Sequence, residues 1–106
     1  MHNRLNSTAI DAGLKKLNDW ALDAHKASIR KEWAFDSFKT AMHFFARMGE
    51  LAEAHDHHPE VFSSYTTMKV RLITHDAHGL THKDFELALA IDQLVANEFA
   101  NFLKKN

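Results

Sequence analysis

The apolar positions of the chain follow a helical spacing, then an alternating one, and then repeat that order. Ile10, Leu14 and Leu17 fall at i, i+4 and i+7, which predicts a short helix over 8–17 capped by Ser7 or Thr8. From Trp20 to His25, and again from Ser28 to Phe35, the pattern is closer to alternation. Ile29, Trp33 and Phe35 point one way, with Arg30, Glu32 and Ala34 opposite. Two strands joined through Ala24-His25-Lys26-Ala27 follow, although that turn holds no Gly, Asn or Pro. Lys31 interrupts the apolar face and suits an edge position.

Asp36 is the expected N-cap of a long helix over 37–54. Phe38, Ala41, Met42, Phe45, Gly49 and Ala52 make its apolar stripe, widened by Phe44, Met48 and Leu51. A stripe so broad exceeds one sheet contact and leaves room for a subunit contact. Pro59 disfavours helix at His58, so this helix ends before or within the residues around it. Alternation returns from Tyr65 to Thr74, with Met68, Val70 and Leu72 on one face and Thr67, Lys69, Arg71 and Ile73 on the other. A further strand is expected over 60–64, and Gly79 marks the turn that follows. Thr81 and Asp84 form an S/T-x-x-D cap ahead of a final helix over 82–103, its buried face holding Phe85, Ala88, Ile91, Leu94 or Val95, Phe99 and Phe102. The order helix, hairpin, helix, strand or two, helix makes this an α+β domain with two long helices covering a small antiparallel sheet.

Composition narrows the choice of chemistry. The 106 residues make one domain over 1–106, and the 45% hydrophobic content is enough for one core. A formal net charge of −1 supplies no basic field for nucleic acid. With no cysteine there is no thiolate nucleophile, disulfide or Cys-based zinc site. The first residues lack the apolar run of a signal peptide and no 18-residue apolar stretch occurs, so the expectation is a soluble cytoplasmic protein without a membrane partner.

The unusual figure is nine histidines. Three of them lie in Glu53-Ala54-His55-Asp56-His57-His58-Pro59-Glu60, with the chain's only proline, and His75-Asp76 and Asp84 make a second, smaller cluster. Histidine titrates near neutrality, so adjacent imidazoles beside carboxylates can hold one proton donor and one acceptor. An extended backbone before Pro59 sends His57 and His58 in different directions. Glu53, four residues before His57, is placed to orient that ring if the helix persists. His75 ends the strand on the face of Lys69, Arg71 and Ile73. Metal binding by His55, His57, His58 and His75 is the rival reading, but adjacent histidines do not readily share one zinc and there is no H-E-x-x-H. The remaining histidines, His2, His25, His43, His78 and His82, read as surface residues, and Trp20 and Trp33 read as core.

Taken together, Glu53-x3-His57-His58-Pro59-Glu60, Tyr65, Thr74-His75-Asp76, Gly79-Leu80 and Asp84 resemble the signature of the pterin-4a-carbinolamine dehydratases. The intervals agree as well, and the likeness runs from about Leu14 to Val95. The resemblance implies a four-stranded antiparallel sheet with three helices packed on one face. It also implies dehydration of a 4a-hydroxytetrahydropterin to quinonoid dihydropterin, after an aromatic amino-acid hydroxylase and with no metal or organic cofactor. His57, His58 and His75 would share the acid and base roles. Glu53 and Asp84 would bind or orient, the backbone at Pro59 and from Thr74 through Asp76 to Ala77 would line the pterin, and Trp20 would lie near the pocket. Homodimers or homotetramers are implied too. Val61 departs from the aromatic residue common in relatives, and the first hairpin lacks their glycine. Two non-catalytic readings stand beside this one. Some animal relatives serve as a dimerisation cofactor of a homeodomain transcription factor, and a degenerate member would act as a scaffold.

Overall fold

A computed structural model describes residues 3–105; His2, expected at the surface, lies outside them. Seven regular elements follow in order: α1 (Ser7–Leu14), β1 (Ala21–Leu22), β2 (Ile29–Ala34), α2 (Phe38–Ala54), β3 (Glu60–Ser64), β4 (Thr67–Leu72) and α3 (His82–Leu94). The strands form one antiparallel sheet in the order β1-β2-β4-β3. Register sorts its two faces. Ile29↔Leu72, Lys31↔Val70 and Trp33↔Met68 share the covered face, whereas Arg30↔Arg71, Glu32↔Lys69, Glu60↔Arg71 and Phe62↔Lys69 share the open one. Ile10 of α1, Phe44 and Met48 of α2, and Leu87 and Ile91 of α3 join the covered face in one core. Its aromatic centre is Trp33, Phe35, Phe44 and Phe99, with ring centroids 5.0–5.9 Å apart. The α+β class and the four-stranded sheet are as expected.

Several local expectations are corrected, each by a side chain or a backbone angle. Asn6, not Ser7 or Thr8, caps α1 by accepting from the Ala9 amide, and the helix stops at Leu14. Ser37, not Asp36, caps α2 by accepting from the Thr40 amide. The strand expected from Tyr65 begins at Thr67, because Tyr65 takes a left-handed φ of 56° in the turn from β3. The final helix runs regularly only to Leu94. A π turn at Val95–Phe99 and a 3₁₀ turn at Ala100–Phe102 follow, which leave Phe102 exposed. On α2 the buried seam is Ala41, Phe44, Met48 and Ala52, so Phe38 and Phe45 face outward.

Lys31 belongs to an interior strand, not an edge. Its ammonium meets Asp92 of α3 at 2.8 Å, and the same carboxylate accepts from Trp20 Nε1 at 3.0 Å. The glycine-free first hairpin closes through Asp23, whose carboxylate accepts from the Ala27 amide and the Ser28 hydroxyl, with Lys26 in the left-handed region. Burial pushes the Asp23 carboxyl up, but the hydrogen bonds from Ser28 and Ala27 outweigh it and hold it below its ordinary range. Among the described residues, no helix is long and apolar enough to cross a membrane.

Candidate active site

The histidines converge at one end of the sheet because of how α2 stops. Its C-cap is His55, and Asp56 follows in the left-handed region at φ 49°. The Asp56 amide returns to the Glu53 carbonyl at 3.2 Å and the His57 amide to the Ala52 carbonyl at 3.0 Å. This is a Schellman ending, with aspartate where glycine is commonest. Lys83 of α3 donates to the Asp56 carbonyl at 3.1 Å. The chain therefore turns over the start of α3, and Pro59 leads it into β3 beside the end of β4.

His57 is held by Asp84. His57 Nε2 lies 2.6 Å from Asp84 Oδ1, with the histidine side chain 11% and the aspartate 0% exposed. Asp84 is the third residue of α3, and its Oδ2 accepts from the Thr81 amide at 2.9 Å, half of a capping box. The same oxygen accepts from the Thr74 hydroxyl at 2.8 Å. With its proton directed at the carboxylate, Thr74 accepts from the Thr81 hydroxyl at 2.8 Å, and Thr81 Oγ1 accepts from the Lys83 amide at 3.3 Å. Thr74, Thr81 and Asp84 are all buried. A carboxylate in its ionised form only accepts, and a neutral imidazole facing it then turns Nε2–H toward Asp84 and keeps Nδ1 as its acceptor.

The other two histidines also turn Nε2 toward a carboxylate, at the surface. His58 pairs with Glu53 at 2.5 Å, so the residue expected to orient His57 orients its neighbour instead. The helix stops one residue after Glu53, and the reversal at Asp56 carries His57 away from it. His75 opens a 3₁₀ turn, His75–Ala77, with its Nε2 3.5 Å from Glu60 Oε2. Asp76 is exposed and Ala77 half-buried in that turn, which Thr74 and Gly79 close by pairing with each other. Trp20 stands apart. Its indole packs edge-on against Trp33 at 5.8 Å and bonds Asp92, two turns along α3 from Asp84. His25, His43, His78 and His82 are exposed as expected. Among the described residues, no three His, Asp or Glu side chains come together as ligands for a metal ion. Sequence reading anticipated the Thr81–Asp84 cap but missed the Thr74 hydroxyl, which links Thr81 to Asp84, and Glu60 as a histidine partner. Glu60 was legible as the third carboxylate of the cluster; the Thr74 hydroxyl gave no signal of its own.

Comparison with known proteins identifies the family. The model of the family described as pterin 4 alpha carbinolamine dehydratase matches residues 3–94. The chain belongs to that family. A Rhodospirillum rubrum protein provisionally named pterin-4-alpha-carbinolamine dehydratase is 39% identical, over 90% of this chain and 99% of its own. One from a Picosynechococcus species, with the same provisional name, is 44% identical over 89% and 100%. The crystal structure of a Brucella melitensis protein titled transcriptional coactivator/pterin dehydratase superposes with a TM-score of 0.83 at 33% identity, over 87% of this chain and 98% of that one. A pterin dehydratase-like protein identified as a RuBisCO assembly factor shares the fold, with a TM-score of 0.64 at 20% identity over 74% and 92%.

Proposed function

We propose that the protein dehydrates a 4a-hydroxytetrahydropterin to the quinonoid dihydropterin and water, as a hydro-lyase acting by histidine acid–base catalysis. Hydroxide is a poor leaving group, so the C4a oxygen must gain a proton as its bond to carbon breaks. A ring nitrogen loses a proton in the same elimination, and no net oxidation occurs. His57 is the acceptor in this reading, taking the proton on Nδ1 while Asp84 stabilises the imidazolium that results. His58 and His75, each beside a carboxylate and open to solvent, supply and recover the proton delivered to the leaving oxygen. The backbone at Pro59 and from Thr74 through Asp76 to Ala77 lines the pterin. The observation that carries the reading is the His57–Asp84 pair, an imidazole bonded to a fully buried, fully satisfied carboxylate. Positioned acid–base groups of this kind contribute roughly 10²–10⁴-fold.

The substrate class places the protein after an aromatic amino-acid hydroxylase, whose product it would return toward reuse. Exposed Phe38 and Phe45 on α2, with Phe62 and Tyr65 around β3, support self-association into dimers or tetramers. Phe38 and Phe45 equally favour a second reading, a protein-binding role on the helical face. The test is to generate the carbinolamine with a phenylalanine hydroxylase and follow its decay against the spontaneous background. Acceleration by the native protein, lost in the His57→Ala/His58→Ala double variant, is the expected result. Equal acceleration by both would overturn the residue assignment, and acceleration by neither would leave the binding reading.

A further inference from the structure

A polar network on the open face of the sheet reaches the third histidine. Glu60 and Arg71 oppose each other across β3 and β4. Glu60 Oε2 accepts from Arg71 Nη1 at 2.7 Å and lies 3.5 Å from His75 Nε2. The far side of the guanidinium is anchored as well. Arg71 Nε donates to Ser28 Oγ at 3.0 Å, and the Ser28 hydroxyl donates to Asp23 Oδ2 at 2.7 Å. Ser28 is 1% exposed, and Asp23 is fixed in turn by the Ala27 amide. Arg71 therefore spans the sheet from a buried anchor at the first hairpin to a carboxylate at the candidate site. The Glu60–Arg71 pair is half exposed, and an ion pair in that setting adds little stability. What the arrangement does is fix the direction of the Glu60 carboxylate. A lysine would not do this, because only the planar guanidinium presents separate donors to Ser28 and Glu60 in a fixed fork.

We propose that Glu60 is a positioning residue for His75, as Asp84 is for His57, and that Arg71 acts on His75 only through Glu60. The proposal rests on the dehydratase reading for its kinetic consequence, but its structural content does not. The test compares the native protein with Glu60→Gln, Arg71→Met, Arg71→Lys and the Glu60→Gln/Arg71→Met double variant. Two readouts are taken: kcat and KM for carbinolamine decay, and the NMR signals of the His75 ring in the substrate-free protein. Glu60→Gln is expected to lower kcat/KM about tenfold, mostly in kcat, as for a reacting group held loosely rather than removed. Arg71→Met is expected to lose severalfold, Arg71→Lys to fail to restore it, and the double variant to be no worse than Glu60→Gln alone. Each single variant should shift the His75 signals, with Arg71→Met adding no shift once Glu60 is replaced. Additive kinetic losses, or His75 signals unmoved by Glu60→Gln, would overturn the proposal. If the native protein proves inactive, the dehydratase reading fails and the NMR comparison still decides whether Arg71 reaches His75 through Glu60.

Discussion

Asp84 is surrounded by groups that donate to it, and His57 is the one among them whose ring has a second nitrogen free to take a proton. An amide at position 84 can donate toward the ring and so favours the wrong tautomer. Asp84→Asn should therefore lower kcat by roughly 10²–10⁴-fold with the fold retained, a range set by the general-base contribution itself. Steady-state rates read beside circular dichroism check this, and an unchanged rate in a folded variant would contradict it. The identity of these residues was legible in the sequence, because imidazoles and carboxylates at fixed intervals carry their chemistry in their type. Their pairing was not. Counting helical turns joins Glu53 to His57, but the helix ends and a left-handed aspartate hands His57 to a residue 27 positions on. Trp20 illustrates the same limit, since its indole partner Asp92 lies 72 positions away.

At the level of the element, the ending of α2 sets where His57 goes. Asp56 tolerates a left-handed φ because a short polar side chain does so far better than a branched one. Asp56→Gly should leave both stability and turnover close to native. Asp56→Val should cost about 1–2 kcal/mol and reduce turnover as well, because relief of the strain displaces His57. Urea unfolding and kinetics on the two variants separate these outcomes; a Val variant with native turnover would mean that the reversal does not position the ring. The final helix shows what periodicity reads well and badly. The Thr81–Asp84 cap was visible because both partners sit three residues apart. The π turn at Val95–Phe99 was not, because a single extra residue per turn leaves the apolar spacing looking continuous until Phe102 falls outside the core.

For the whole molecule, two clamps join parts of the chain that local pattern leaves separate. Arg47 of α2 holds Glu98 of the π turn and also pairs with Glu50, and Asp23 ties the first hairpin toward Arg71. Hydrogen bonding to Arg47 holds the Glu98 carboxyl below its ordinary range, as Ser28 and Ala27 do for Asp23. A depressed folded-state value gives stability that is present above the unfolded carboxylate range and lost as pH falls through the folded one. Urea midpoints measured from about pH 7 down to about pH 3 should therefore fall. Asp23→Asn should make that fall shallower, and Glu98→Gln should do so only slightly because solvent screens its pair with Arg47; an unchanged slope with Asp23→Asn would count against the hairpin clamp. The α+β class was legible because helical and alternating stretches take turns along the chain. The order β1-β2-β4-β3 was not, since which strands pair is decided by contacts between distant residues such as Trp33 with Met68.

The most direct test of the account is a stopped-flow comparison of carbinolamine decay with the native protein and with His57→Ala alone. Catalysis by an imidazole poised on Asp84 predicts clear acceleration by the native protein and decay near the spontaneous rate with the variant. Native-like acceleration by a folded His57→Ala protein would contradict it, and the proton acceptor would then have to be sought at His58 or His75.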